Sequence, residues 1–184
     1  MTNLLRRVVL LTLPAMLVAC GALDGPRSVS LSEAELQRRI ELAFPLERRV
    51  LELLELTLSA PQLRLIPERN RLAAELDIGA RDRLRGGQWS GRLAFESALR
   101  YDATEQSLRL AQVRVTQLTL GSGGASQAQA ERIGAVLAER VLEGFTVYRL
   151  PADKAATLQR AGMVPGEVAV NARGVEITLV PAPR

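Results

Sequence analysis

Residues 107–120 read SLRLAQVRVTQLTL, and the spacing of their apolar side chains decides the fold. Three pairs, Leu108/Leu110, Val113/Val115 and Leu118/Leu120, are each split by one polar residue. A helix would scatter these six side chains around its circumference, whereas a strand sends alternate residues to one face. The valine and threonine content agrees with a strand. The pairs recur every five residues, however, and an odd step turns a side chain to the opposite face of a flat strand. Either both faces are buried, or bulges at Ala111-Gln112 and Thr116-Gln117 reset the phase. Extended, the run would span roughly 40 Å, beyond the usual strand length, so it is expected to curve around something.

The same slip occurs upstream. Leu56 and Leu58 alternate, Ser59-Ala60-Pro61 interrupts, and Leu63 and Leu65 resume in the opposite phase. Proline cannot donate to a ladder, so Pro61 marks a bulge or an edge. Leu72 to Ile78 and Gln88 to Tyr101 also read as strands, joined by turns at residues 68–71, 85–87 and 102–106. Four strands with short connections make an antiparallel meander. Before it, Ser32-Glu33-Ala34-Glu35 is a capping box opening an amphipathic helix through Leu36, Ile40 and Phe44, which Pro45 ends. Ser28 to Leu31 reads as a strand or an extended lead-in, and Leu46 to Leu53 fits helix or strand equally well. After a Gly-rich break at residues 121–124, Ser126 to Phe145 carries an apolar stripe of Ile133, Val136, Leu137, Val141, Leu142 and Phe145. Val147 to Leu150 is a short strand, Ala152 to Arg160 a short helix, and Glu167 to Leu179 a closing hairpin turning at residues 171–174. The fold class expected is α+β: a strongly curved antiparallel meander wrapped around one long helix in the C-terminal half.

The N-terminus reads as a leader. Arg6 and Arg7 precede a short apolar run, Val8 to Ala19, which is too short to span a bilayer. Leu17-Val18-Ala19-Cys20 resembles a bacterial lipobox, which implies that residues 1–19 are removed and Cys20 is lipidated. Several acyl chains, at about 0.8 kcal/mol per buried methylene, make such an anchor effectively permanent. Cys20 is the only cysteine, so no disulfide is possible. Gly21 stands where inner-membrane lipoproteins of enteric-type bacteria carry Asp, which points to the outer membrane, periplasmic face. Residues 20–27 form a tether of at most about 25 Å, and residues 28–184 are expected to be one domain. Without Arg6 and Arg7, 22 of the 24 basic residues remain against 20 acidic ones, a near balance that does not suit a nucleic-acid binder.

The order of features completes a pattern. A lipobox, a short amphipathic helix, a Leu56-Thr57-Leu58-Ser59-Ala60-Pro61 strand and a Pro67-Glu68-x-Asn70-Arg71-Leu72 turn come first. A Gly-rich break, a long helix, Val147-Tyr148-Arg149-Leu150 and a Pro165-Gly166-Glu167-Val168 hairpin follow. This order resembles the YceB-like lipoproteins of Gram-negative envelopes across essentially the whole mature chain. That family is similar in fold to the TULIP superfamily, which implies a tubular apolar cavity and a lipid or other hydrophobic ligand.

Catalysis is not expected. The chain has no histidine, the commonest general base and metal ligand. A lipidated Cys20 leaves no thiol, and Lys154, the single lysine, lies in a polar helix. Glu75 and Asp77 share a strand face that reads as the wet side of a sheet. No cofactor or metal is implied. The candidate apolar groove is formed by Leu56, Leu58, Leu63, Leu65, Val113, Val115, Ile133, Leu137, Val141 and Phe145, although a closed core uses the same residue types. Arg81, Arg83, Arg85 and Arg92 flank a turn beside Trp89. They read as a tip for anionic headgroups or, as the favoured reading, a solvated hairpin. A hydrophobic ligand and, alternatively, a partner envelope protein are the partners expected.

Overall fold

The register slips where the pair spacing placed them. In the computed structural model, which describes residues 28–50, 54–84, 86–121 and 127–182, residues Ser107–Leu120 form one strand. Against its neighbour, Ala98 faces Ala111 but Glu96 faces Arg114, and Phe95 faces Val115 but Ala94 faces Gln117. Each slip absorbs one extra residue, so all three apolar pairs turn to the same face. Leu108, Leu110 and Val113 are buried there, and Val115, Leu118 and Leu120 half-buried. At the first bulge Gln112 adopts a left-handed φ of 52°. The wholly buried Ser97, opposite it, donates its hydroxyl to the Ala111 carbonyl at 2.9 Å and accepts from the Ala111 N–H at 3.1 Å.

The elements run β1 (Ser28–Ser32), α1 (Glu33–Ala43), β2 (Leu46–Val50), β3 (Leu54–Ile66), β4 (Arg71–Asp82), β5 (Gln88–Asp102), β6 (Ser107–Leu120), α2 (Gln127–Leu142), β7 (Thr146–Arg149), α3 (Ala152–Arg160), β8 (Met163–Asn171) and β9 (Gly174–Pro181). A single 3-10 turn, Pro67–Arg69, joins β3 to β4. Strands β2-β3-β4-β5-β6-β7 form one antiparallel sheet in that order, bent into a half-barrel, and β1-β9-β8 form a second. In β4 the alternation is complete: Leu72, Ala74, Leu76 and Ile78 are buried while Glu75 and Asp77 face water. Pro61 sits in the β3 slip between Ser59 and Gln62, with Ala60 at φ 49°. Leu56 and Leu58 before it and Leu63 and Leu65 after it thereby share the inner face.

Asn70 ties the two sheets together. At φ 51°, a left-handed position asparagine tolerates, its side chain accepts from the Val170 N–H at 2.6 Å and donates to the Val168 carbonyl at 3.2 Å. The short helix α1 starts as expected, with Ser32 Oγ accepting from the Glu35 N–H at 3.2 Å, and it stops at Ala43 before Pro45. Leu46–Val50, open between helix and strand in the sequence, is a strand on the edge of the large sheet.

The single long core helix is replaced by a different arrangement. α2 ends at Leu142, and the filling of the trough is shared with α1, whose Leu36 and Ile40 are buried. α2 lies along the open edge of β6, which β7 covers only at residues 107–109. Two glutamates on α2 and Glu143 just after it take the place of a partner strand. Glu143 accepts from the Gln112 and Val113 N–H groups at 3.1 and 2.9 Å, Glu139 from Val115 at 2.8 Å, and Glu131 from Leu120 at 3.2 Å. An edge strand exposes unpaired donors, and this row of carboxylates satisfies them. The expected leader (1–19), Cys20, the tether (20–27), Arg85 and most of the Gly-rich break lie outside the described residues.

Candidate functional site

The inner face of the large sheet is apolar along its length. Cross-strand register places Leu46, Leu58 and Ile78 in one row and Leu65 with Leu72 in another, while Leu76 pairs with Leu93 and Leu93 with Leu118. Helix α1 closes one end. Gln37, reaching the Pro61 bulge, accepts from the Leu63 N–H at 2.8 Å and donates to the Pro61 carbonyl at 2.7 Å. This one amide pairs with the β3 edge beyond the point where β2 ends, opposite Leu58. Arg39 lies 4.6 Å over the Tyr148 ring, and Phe44 meets Phe145 edge to face at 5.6 Å. A pocket of about 10 Å³ at this end is lined by Ile40, Phe44, Leu63, Leu72, Phe95 and Phe145 among others. That is room for about one water, whereas ligand cavities run from about 300 Å³.

Toward the β4–β5 hairpin the same face is less covered. Leu54, Ala80, Trp89, Leu118 and Leu120 follow the inward rows and are only half-buried. Leu56 is buried, yet it stands outside the contiguous core. α2 approaches this region closely, since a Cβ on Gly134 would stand 2.8 Å from Leu118 Cδ2.

The ten groove residues therefore separate into groups. Leu63 and Phe145 line the small pocket at the α1 end. Leu58 and Val113 are buried in the core, with Leu65, Val115 and Val141 packed against it. Leu137 is half-buried, and Ile133 is 54% exposed on α2, with Val136 beside it at 60%. Taken alone, Gln37 and the glutamates facing β6 carry no sequence signal of their roles, and Asn70, placed in a turn by the sequence, gives no sign there of its bonds to β8. The glutamates share one helix face at spacings of eight and four, a signal legible once a long strand is seen to lack a second partner.

Polar chemistry inside the trough is sparse. Tyr148 is buried with its hydroxyl unpartnered. Burial raises its pKa above the ordinary value of 10, while the nearby Arg39 guanidinium opposes the rise. Among the described residues no group of three or more His, Cys, Asp or Glu side chains could hold a metal ion.

No family model matches the chain, and no curated protein matches it. Among solved structures, the chain is similar to one described as lipopolysaccharide binding protein, at 13% identity and a TM-score of 0.33. The overlap covers 85% of this chain and 41% of that one, so this chain spans less than half of that protein's length. A likeness of that degree does not bear on function.

Proposed function

We propose that this chain is a membrane-anchored envelope protein, held at Cys20, that takes a slender apolar ligand such as an acyl chain on the inner face of its curled sheet and catalyses no reaction. The observation that carries the reading is the unequal filling of one continuous apolar face. Its α1 end is sealed down to about 10 Å³, while Leu54, Trp89, Leu118 and Leu120 at the other end stay half-buried. A guest would engage the half-covered end first and would enter further only by displacing Phe44 and Phe145. The lipobox and the order of features shared with YceB-like lipoproteins support the envelope setting.

Mass spectrometry of the chain extracted gently from membranes tests the ligand. Lipid is expected at near-stoichiometric amounts and less of it in Leu118→Arg; repeated isolation free of lipid defeats the reading. Anchoring is tested separately, since Cys20→Ser is expected to move the chain out of the membrane fraction. A second reading, a partner-binding envelope protein without cargo, is favoured by Ile133 and Val136, which share one face of α2 in the open. In-cell crosslinking from position 136 to a single stoichiometric partner would favour it.

A further inference from the structure

We propose that the β4–β5 hairpin end is a docking surface for an anionic lipid bilayer, whether or not the inner face holds cargo. Register places Arg49, Glu55, Arg81 and Gln88 in one row across four strands, beside a row of Glu47, Thr57, Gly79 and Ser90. All but Ser90, joined by Arg48, Leu56, Ala80 and Trp89, line an open groove of about 670 Å³.

Its charge is cationic and only partly met. Arg49 and Arg83 share one oxygen of Glu55, at 3.8 and 3.4 Å. Arg81 has a neutral partner: with the Gln88 amide turned so that its oxygen faces the guanidinium, it accepts at 2.8 and 3.0 Å. Among the residues lining the groove, three guanidiniums (Arg48, Arg49 and Arg81) stand against Glu47 and Glu55, with Arg83 adding a fourth beside Glu55; Asp82 accepts from the Leu84 N–H at 2.8 Å to shape the turn.

The apolar half of the surface is next to it. Leu84, in the turn, is 73% exposed. Trp89 lies over Gly87, where a Cβ would meet the indole Cη2 at 2.7 Å, so this glycine makes room for the ring at the base of the tip. An exposed leucine, an indole behind it and arginines around it form the arrangement of an interfacial contact. The leucine enters the acyl boundary, and the guanidiniums reach lipid phosphates. A site for a free anion would not use Leu84, and its arginines would converge on one point. Here they are spread over neighbouring strands about 4.8 Å apart and remain half-exposed, at 60% for Arg49 and 51% for Arg83.

Trp89 is the only tryptophan in the chain, so its fluorescence reports this end alone. The test uses the full chain carrying Cys20→Ser, with vesicles of phosphatidylglycerol or phosphatidylcholine containing brominated lipid. Phosphatidylglycerol is expected to shift Trp89 emission to the blue and quench it, an effect lost near 1 M salt, where screening reaches about 3 Å. Arg81→Glu with Arg83→Glu, and separately Leu84→Asp, are expected to weaken the response by about tenfold or more. All three side chains are exposed, and unchanged circular dichroism confirms that the variants fold. The proposal is overturned if phosphatidylglycerol leaves Trp89 unchanged, if phosphatidylcholine acts equally, if the variants respond as wild type, or if inorganic phosphate alone reproduces the shift. Cargo is read independently by mass spectrometry, so lipid-free protein that still docks sinks only the cargo reading.

Discussion

Glu143→Ala tests whether α2 is attached to β6 through its carboxylates. The substitution removes the acceptor for two backbone donors, Gln112 N–H at 3.1 Å and Val113 N–H at 2.9 Å. Gln112 is exposed and recovers water, so its loss is small. Val113 is 7% exposed, and its amide is left dry and unpaired. An orphaned part-buried donor costs about 1–3 kcal/mol, which puts the sum near 2 kcal/mol. At about 2–4 °C per kcal/mol for a domain of this size, the melting midpoint should fall by roughly 4–8 °C. Urea and thermal unfolding followed by circular dichroism measure the loss. Amide hydrogen exchange locates it, because local opening at Val113 should speed up about thirtyfold for 2 kcal/mol. A melting point within about 1 °C of wild type, with Val113 exchange unchanged, would refute the idea that this carboxylate serves as a surrogate strand.

Substitutions at three other positions probe separate joints. Asn70→Ala should cost about 2–3 kcal/mol in urea unfolding, by breaking both bonds to β8 and placing alanine at φ 51°. Asn70→Gly relieves only the backbone part, and equal stability of the two variants would argue against the strain. Gly91→Ala aims a Cβ into the Thr119 carbonyl oxygen across β5 and β6, and should cost about 3 kcal/mol or prevent folding; near-wild-type unfolding would mean that the strands are not so close. Tyr148→Phe removes a buried hydroxyl without a partner, so stability at neutral pH should hold or rise by up to about 1 kcal/mol. The sign above neutrality follows from the raised pKa. The folded state keeps the phenol proton longer than the unfolded chain, so this stability is full below pH 10 and fades as pH climbs through the folded value. Tyr148→Phe should flatten that alkaline decline, leaving the part due to Tyr101, which burial also raises.

The curvature of this sheet was legible because the core is intolerant of phase errors. A strand carrying Leu110 and then Val113 inward has to absorb one extra residue between them, and the only freedom is where. The same logic located the slip at Pro61, and the capping box located Ser32. Two things were hidden. β2 reads LERRV, with charges on both faces, because a short edge strand does not need a clean alternation. The stripe on α2 was misleading for a related reason. Ile133 and Val136 look like core by periodicity, yet Ala138 and Leu142 are the residues it buries, and its placement is dictated by Glu131, Glu139 and Glu143. Periodicity counts apolar contacts, whereas this helix is positioned by hydrogen bonds to a strand edge.

That distinction determines which parts of the trough can move. The floor is six strands joined by backbone ladders, and opening it would break many bonds at once. The walls are attached differently. α1 reaches the β3 edge through Gln37 and through aromatic and aliphatic contacts, and α2 is held by three carboxylates on the β6 edge together with its buried Ala138 and Leu142. Side-chain joints of this kind contribute about 1 kcal/mol each and release one at a time. A sheet that curls without closing thus keeps a stiff apolar floor between two separately detachable helices. The apolar ligand proposed above would need that property, since the pocket beneath Phe44 and Phe145 offers only about 10 Å³ and further volume would come from displaced walls.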